Sequence, residues 1–166
     1  LSNSTKREEL VEWLQLFIPG LVNIEVKSSD SGENDELLVY ESGNSKPFTK
    51  ALISDGTYNI ISLLTVVLQS DTPQFLCIEE PENGLNPKVV KELVGFFREQ
   101  CEANGHYIWL NTHSQTLVGE LRPEEIILVD KKDGETKIKQ LQGKDLHGLR
   151  MDEALFSGVL GGGIPW

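Results

Sequence analysis

Residues 75–81 read Phe75-Leu-Cys-Ile-Glu79-Glu80-Pro81, an apolar run that ends abruptly in two adjacent carboxylates. The run predicts a strand of a parallel sheet, and the acids then lie at its carboxyl edge, where open α/β folds bind ligands. Because side chains alternate along a strand, Glu79 and Glu80 are expected to point in different directions. One can hold a metal ion while the other handles a proton, although a solvated acid pair after a core strand is the ordinary alternative.

A second apolar strand is predicted at Tyr107-Ile-Trp-Leu110, and it ends in Asn111-Thr112-His113-Ser114. If the two strands are neighbours, His113 lies at the same edge as Glu79 and Glu80. A lone histidine at a strand end is more often structural, but beside two carboxylates it becomes a candidate donor to a phosphate or to an attacking water.

Two turns frame this edge. In the turn Pro81 to Pro87, Asn86 is predicted to cap the following helix and Pro87 to occupy its first turn. Upstream, Ser54-Asp55-Gly56-Thr57 opens a long apolar helix that Ser54 or Asp55 can cap. The free amides there, with Gly56, allow the close approach of an anion such as a terminal phosphate, whereas the plain alternative is a capped helix start.

The remaining pattern predicts a helix and an antiparallel meander, followed by helices and strands in alternation. Such alternation implies a parallel sheet covered by helices. The predicted elements are helix Thr5–Phe17; strands Asn23–Lys27, Glu36–Glu41 and Phe48–Ile53; helix Thr57–Leu68; strand Phe75–Ile78; helix Pro87–Glu102; strand Tyr107–Asn111; helix Gln115–Gly119; strand Ile126–Val129; edge strand Thr136–Leu141, paired back to the preceding strand; helix Asp145–Phe156; and a loop tail Gly158–Trp166.

Composition is that of one ordinary globular unit. The chain has 166 residues, of which 39% are hydrophobic and 25% charged, and at this size about 70% of the unfolded surface is buried on folding. The two cysteines lack metal spacing and are interpreted as reduced thiols of a cytoplasmic protein. A net charge of -11 opposes non-specific binding of a nucleic-acid backbone, and no apolar run approaches the roughly 20 residues of a membrane span.

The order of these motifs resembles the C-terminal half of ABC-type ATPase heads, over roughly Phe48 to Leu141. It is most similar to bacterial predicted AAA/ABC ATPases related to the SMC, RecF and OLD-type proteins. The resemblance implies an α/β, P-loop NTPase-like fold that binds ATP and Mg²⁺ and dimerises with a second head around composite sites.

The resemblance also implies a role for each motif. Ser54 to Thr57 match the signature motif, which contacts the γ-phosphate bound by the opposite protomer. Glu79 matches the Walker B acid that supports magnesium, where the family usually has Asp, and Glu80 matches the general base. Asn83 to Pro87, which include Asn86, match the D-loop at the dimer interface, and His113 matches the switch histidine.

One departure is large, because no Gly-x-x-x-x-Gly-Lys-Ser/Thr phosphate loop occurs; Ser42-Gly-Asn-Ser-Lys46 and Gly161–Gly163 lack its spacing. The chain is therefore expected to be the second half of a head, with a helix and meander at 1–53, the motif core at 54–141 and a C-terminal helix and tail at 142–166. Expected partners are the N-terminal half, a second head, and DNA or an effector protein through other regions, with no membrane. Hydrolysis is expected of the complete head and not of this chain alone.

Two other interpretations of the function stay open. A non-catalytic interaction module derived from a head is favoured by the missing phosphate loop and disfavoured by the retained Glu79, Glu80 and His113. A metal-dependent nuclease that uses Glu79, Glu80 and Glu82 needs further acids, and Asp130 is the only obvious one.

Overall fold

The computed structural model describes residues 4–28, 35–143, 146 and 148–157. Helices and strands follow each other largely in the predicted order. They are α1 Ser4–Phe17, β1 Leu21–Ser28, β2 Asp35–Glu41, β3 Phe48–Thr49, α2 Asp55–Leu68, β4 Phe75–Glu79, α3 Pro87–Asn104, β5 Tyr107–Asn111, α4 Gln115–Gly119, a 3₁₀ turn Pro123–Glu125, β6 Ile127–Lys132, β7 Glu135–Gln140 and α5 Met151–Phe156.

The predicted meander is present as an antiparallel sheet in the order β1-β2-β3. Its third strand is much shorter than predicted, because only Phe48 and Thr49 pair with β2. The backbone N–H of Leu52 donates to the carbonyl of Thr49 at 2.9 Å. That turn directs the chain into α2 and ends the strand.

The stretch from Asn59 to Leu68 is helical, although its β-branched residues also suit a strand. Two of its polar side chains are satisfied within the helix, since the hydroxyl of Ser62 donates to the carbonyl of Tyr58 and that of Thr65 to the carbonyl of Ile61. These bonds let α2 lie in an apolar setting, where Leu64 and Val67 are fully buried.

The parallel pair β4 and β5 was predicted and is confirmed, with Phe75 opposite Tyr107 and Glu79 opposite Asn111. One face of the pair packs against the core formed by α1, α2 and α3, through half-buried leucine and isoleucine side chains. The opposite face is open: Phe75, Tyr107 and Trp109 are 68%, 71% and 54% exposed. The expectation of a covered sheet is therefore met on one face of the described structure.

Two predictions near the C-terminus need correction. Among the described strands, β6 pairs with β7, antiparallel, and forms no ladder with the parallel sheet. The segment that leads into β6 faces β5 across a cavity of about 360 Å³, whose lining includes Ile108 and Leu110 of β5 and Leu121, Arg122 and Glu125 ahead of β6. The last helix begins at Met151, since residues 148–150 are a turn and a capping segment. Asp145 and the tail 158–166 lie outside the described residues.

Within the described part of the chain, no helix is both long enough and apolar enough to cross a bilayer.

Candidate functional site

Glu80 leaves β4 in an unusual backbone conformation, with a φ of 47°. Non-glycine residues in this left-handed region cost about 1 to 3 kcal/mol and persist where neighbouring contacts hold them. Here the N–H of Glu80 donates to the carbonyl of Asn111 at 2.8 Å, and the carbonyl of Glu80 accepts the N–H of Asn83 at 3.1 Å. The first bond attaches Glu80 to the end of β5.

The structure brings Glu80 and His113 together, as the two strand ends suggest. Oε1 of Glu80 and Nε2 of His113 are 3.8 Å apart, and the two side chains are 27% and 87% exposed. A carboxylate and an imidazole thus face each other at the carboxyl edge of the parallel pair, where an outside ligand can reach both.

Glu79 lies on the open face of the sheet, in register with Asn111, and both residues are exposed. The described residues contain no group of three His, Cys, Asp or Glu side chains placed to hold a metal ion, so Glu79, Glu80 and Glu82 do not form the cluster that a nuclease needs. Mg²⁺ is commonly held by one or two carboxylates with phosphates and waters. Glu79 offers one exposed carboxylate to an ion held in this way.

Ser54 caps α2, as the sequence allows. Its Oγ accepts the N–H of Thr57 at 3.0 Å and lies 2.9 Å from the hydroxyl of Thr57. Asp55 stands exposed in the first turn. Among the described residues, no hydrogen bond or ion pair joins this segment to Glu80 or His113.

Gly56 is buried, and the group that approaches it is the carbonyl of Gly84. A Cβ on Gly56 would lie 2.2 Å from that oxygen, far inside contact distance. The helix start therefore packs directly on the turn after β4, which leads back to Glu80.

Asn86 caps α3 through its Oδ1, which accepts the N–H of Val89 at 3.0 Å, and Pro87 occupies the first helical position, as predicted. The cap fixes the end of the turn 80–86.

Three residues tie these loops together; sequence reasoning gave no site role to Asn59 or Thr112, and it gave Glu82 one only as an acid of the nuclease alternative. Asn59 on α2 donates to the carbonyls of Pro81 and Asn83, each at 3.0 Å, and Thr112 donates to Glu82. The signal for Asn59 was a polar amide inside an apolar helix, which needs buried partners. For Glu82 and Thr112 only the tertiary structure reveals the contact.

The fold defined by these elements is similar to that of SMC ATPase heads. One similar structure comes from work on the ATP-driven dimerisation and DNA-stimulated activation of SMC ATPases. It matches with a TM-score of 0.64 and 15% identity, over 82% of this chain and 83% of that chain. A further structure, of the SmcHead bound to the C-winged helix domain of ScpA, matches with a TM-score of 0.67 and 16% identity over 87% of this chain. The Smc head domain of Pyrococcus furiosus with an extended coiled coil, bound to the C-terminal domain of ScpA, matches with a TM-score of 0.63 and 18% identity over 81% of this chain.

This chain covers 44% of the length of the SmcHead structure and 34% of that of the Pyrococcus furiosus structure. Residues 9–119 match the family described as "AAA domain, putative AbiEii toxin, Type IV TA system". The chain belongs to this AAA family. No curated protein sequence matches it.

Proposed function

We propose that this chain is the signature and Walker B half of an ATPase head, which binds and hydrolyses ATP with Mg²⁺ once a phosphate-loop half completes it. The observation that carries the proposal is the 3.8 Å approach of Glu80 and His113 at the ends of two parallel strands. Family membership and the SMC-head fold support the same class of function.

Each side chain has a distinct role in the proposed reaction. Glu80 accepts the proton of the attacking water, and His113 donates to the γ-phosphate as negative charge develops there. Glu79 supports Mg²⁺, which when bound neutralises phosphate charge. The strained backbone of Glu80 holds its carboxylate beside His113 and away from Glu79, whose side chain lies on the open face.

The open face of β4 and β5 supports an incomplete site. All-parallel sheets are normally covered on both faces, whereas here Phe75, Tyr107 and Trp109 remain exposed. The backbone of Tyr107 and Asn111 bonds toward β4. By strand alternation the backbone of Ile108 and Leu110 faces the opposite edge, and both residues line the cavity beside β5. We propose that the phosphate-loop half covers this face and edge.

Dimerisation with a second head is part of the proposal. Ser54, Asp55, Gly56 and Thr57 then contact the γ-phosphate held by the partner head, and the turn 83–87, with Asn86, lies at the interface. The exposure of Ser54 and Asp55 is consistent with that role.

We further propose a cytoplasmic location, because Cys77 and Cys101 are free thiols.

The test is Glu80→Gln in the complete head. Because the amide keeps the shape of the side chain but accepts no proton, we expect ATP binding and dimerisation to persist while turnover falls about 100-fold or more. The measurements are equilibrium ATP binding, size-exclusion chromatography with ATP and phosphate release.

The matched control is Glu99→Gln, which changes an exposed carboxylate on α3 and should leave all three measurements unchanged. Normal turnover in the Glu80→Gln variant would remove Glu80 from the reaction. Binding and dimerisation without turnover in the unaltered head would instead identify a non-catalytic interaction module.

A further inference from the structure

A side-chain hydrogen bond joins the loop after β4 to the loop after β5. The hydroxyl of Thr112 donates to Oε1 of Glu82, 30 positions away in the chain. The same hydroxyl oxygen accepts the N–H of Ser114 at 2.9 Å, so Thr112 also holds the turn that contains His113. A shift of either loop must therefore stretch the bond to Glu82.

Glu82 itself is held on both sides. The amide of Asn59 donates to the carbonyls of Pro81 and Asn83, the two neighbours of Glu82, each at 3.0 Å. These bonds attach the loop to α2, an element of the buried core. Glu82 is thus a fixed point against which Thr112 is placed.

The other carboxylate oxygen of Glu82 has an unfavourable environment. Oε2 is buried and has no hydrogen-bond partner among the described residues. A buried polar atom without a partner destabilises the fold. Stability alone therefore does not explain why a glutamate occupies position 82, whereas its hydrogen bond to Thr112 does.

We infer that Glu82 is a positioning residue, which sets the separation of Glu80 and His113 through its hydrogen bond to Thr112. Glu80 lies two residues before Glu82, and His113 directly follows Thr112. The consequence for turnover rests on the proposed function, whereas the coupling of the two loops rests on the contacts alone.

The experiment compares Glu82→Ala, which removes the acceptor, with Glu82→Gln, which keeps an amide oxygen in the place of Oε1. Amide hydrogen exchange of residues 112–114 is measured on the 166-residue chain, and kcat and KM for ATP on the complete head. In Glu82→Ala we expect exchange at His113 and Ser114 to rise roughly tenfold and kcat to fall at least about tenfold, with KM changed by less than about twofold.

Glu82→Gln should match the unaltered protein in exchange and in kcat, and so should the control Glu99→Ala. Unchanged exchange in Glu82→Ala would overturn the inference, and so would a Glu82→Gln variant as impaired as Glu82→Ala, since the charge and not the bond would then matter. If Glu82→Ala does not fold, Thr112→Val and Thr112→Ser replace the pair; the serine variant keeps the hydroxyl and should alone preserve kcat.

The two proposals fail separately. If the unaltered head shows no turnover while Glu82→Ala exchanges faster at 112–114, the proposed function is wrong and the coupling stands. If turnover is present and unaffected by Glu82→Ala, the function stands and the positioning role is wrong.

Discussion

At the scale of single residues, the contact between Gly56 and Gly84 joins the start of α2 to the turn that carries Glu82. Gly84 adopts a φ of 76°, which suits glycine, and its carbonyl occupies the space in which a side chain on Gly56 would begin. The two glycines let two backbones approach more closely than any other residue pair permits.

We expect Gly56→Ala to destabilise the chain by about 1 to 3 kcal/mol, because the added methyl forces the turn away from α2. Gly95→Ala is the matched control: Gly95 lies inside α3, and a Cβ there meets nothing within 4 Å. That control should stabilise the chain by about 0.5 to 1 kcal/mol through helix propensity. Urea unfolding measures both, and equal effects of the two substitutions would show that Gly56 is not in close contact.

At the scale of elements, α3 is attached to the 3₁₀ turn by a bidentate ion pair. Nε and Nη2 of Arg98 donate to the two carboxylate oxygens of Glu125 at 2.7 and 2.6 Å, and Nη2 also donates to the carbonyl of Glu120. Burial raises the pKa of Glu125, but the hydrogen bonds from Arg98 and the N–H of Arg122, with both positive charges, outweigh it and hold the pKa below its ordinary 4.5.

A carboxyl group with a lowered pKa in the folded state stabilises the fold fully above its unfolded pKa, and this stability is lost as the pH falls through the folded value. Glu125→Gln should therefore destabilise the chain at pH 7, by about 0.5 to 1 kcal/mol for a partly exposed pair, and the difference should shrink below pH 4.5. Thermal unfolding between pH 3 and 7 measures it, with exposed Glu8→Gln as the control. A difference independent of pH would contradict the ion pair.

At the scale of the whole molecule, the open sheet face offers a test of the proposal that a phosphate-loop half completes the chain. Tyr107→Glu should weaken association with a separately expressed phosphate-loop half, because it places a charge in a face that must lose water. Ile138→Glu on β7 is the control, since both side chains are 71% exposed and Ile138 lies on the hairpin apart from that sheet. Equal binding of the two variants, measured by titration calorimetry, would show that another surface is used.

The same titration tests the ligand. At a net charge of -11, with neither phosphate-loop amides nor their lysine, the chain alone should bind Mg-ATP no more tightly than about 1 mM, an affinity of roughly -4 kcal/mol. Addition of the phosphate-loop half should bring micromolar binding. Micromolar binding by the chain alone would mean that its phosphate site has been misidentified.

The sequence alone predicted what depends on local pattern. The apolar runs gave β4 and β5 in parallel, the caps Ser54 and Asn86 gave the starts of α2 and α3, and two strand ends placed Glu80 near His113. These features follow from periodicity and capping, which depend on residues close together in the chain, and from the alternation of helices and strands. The sequence also carried the motif order on which the ATPase-head resemblance depends.

Only the tertiary structure decided features that join distant segments. The positive φ of Glu80, the bond from Thr112 to Glu82 and the approach of Gly84 to Gly56 each depend on how segments far apart along the chain pack. The short β3, which ends where the chain turns toward α2, and the pairing of β6 with β7 likewise depend on how these elements pack. Local propensity cannot encode such contacts, because their energy arises only after the elements have packed.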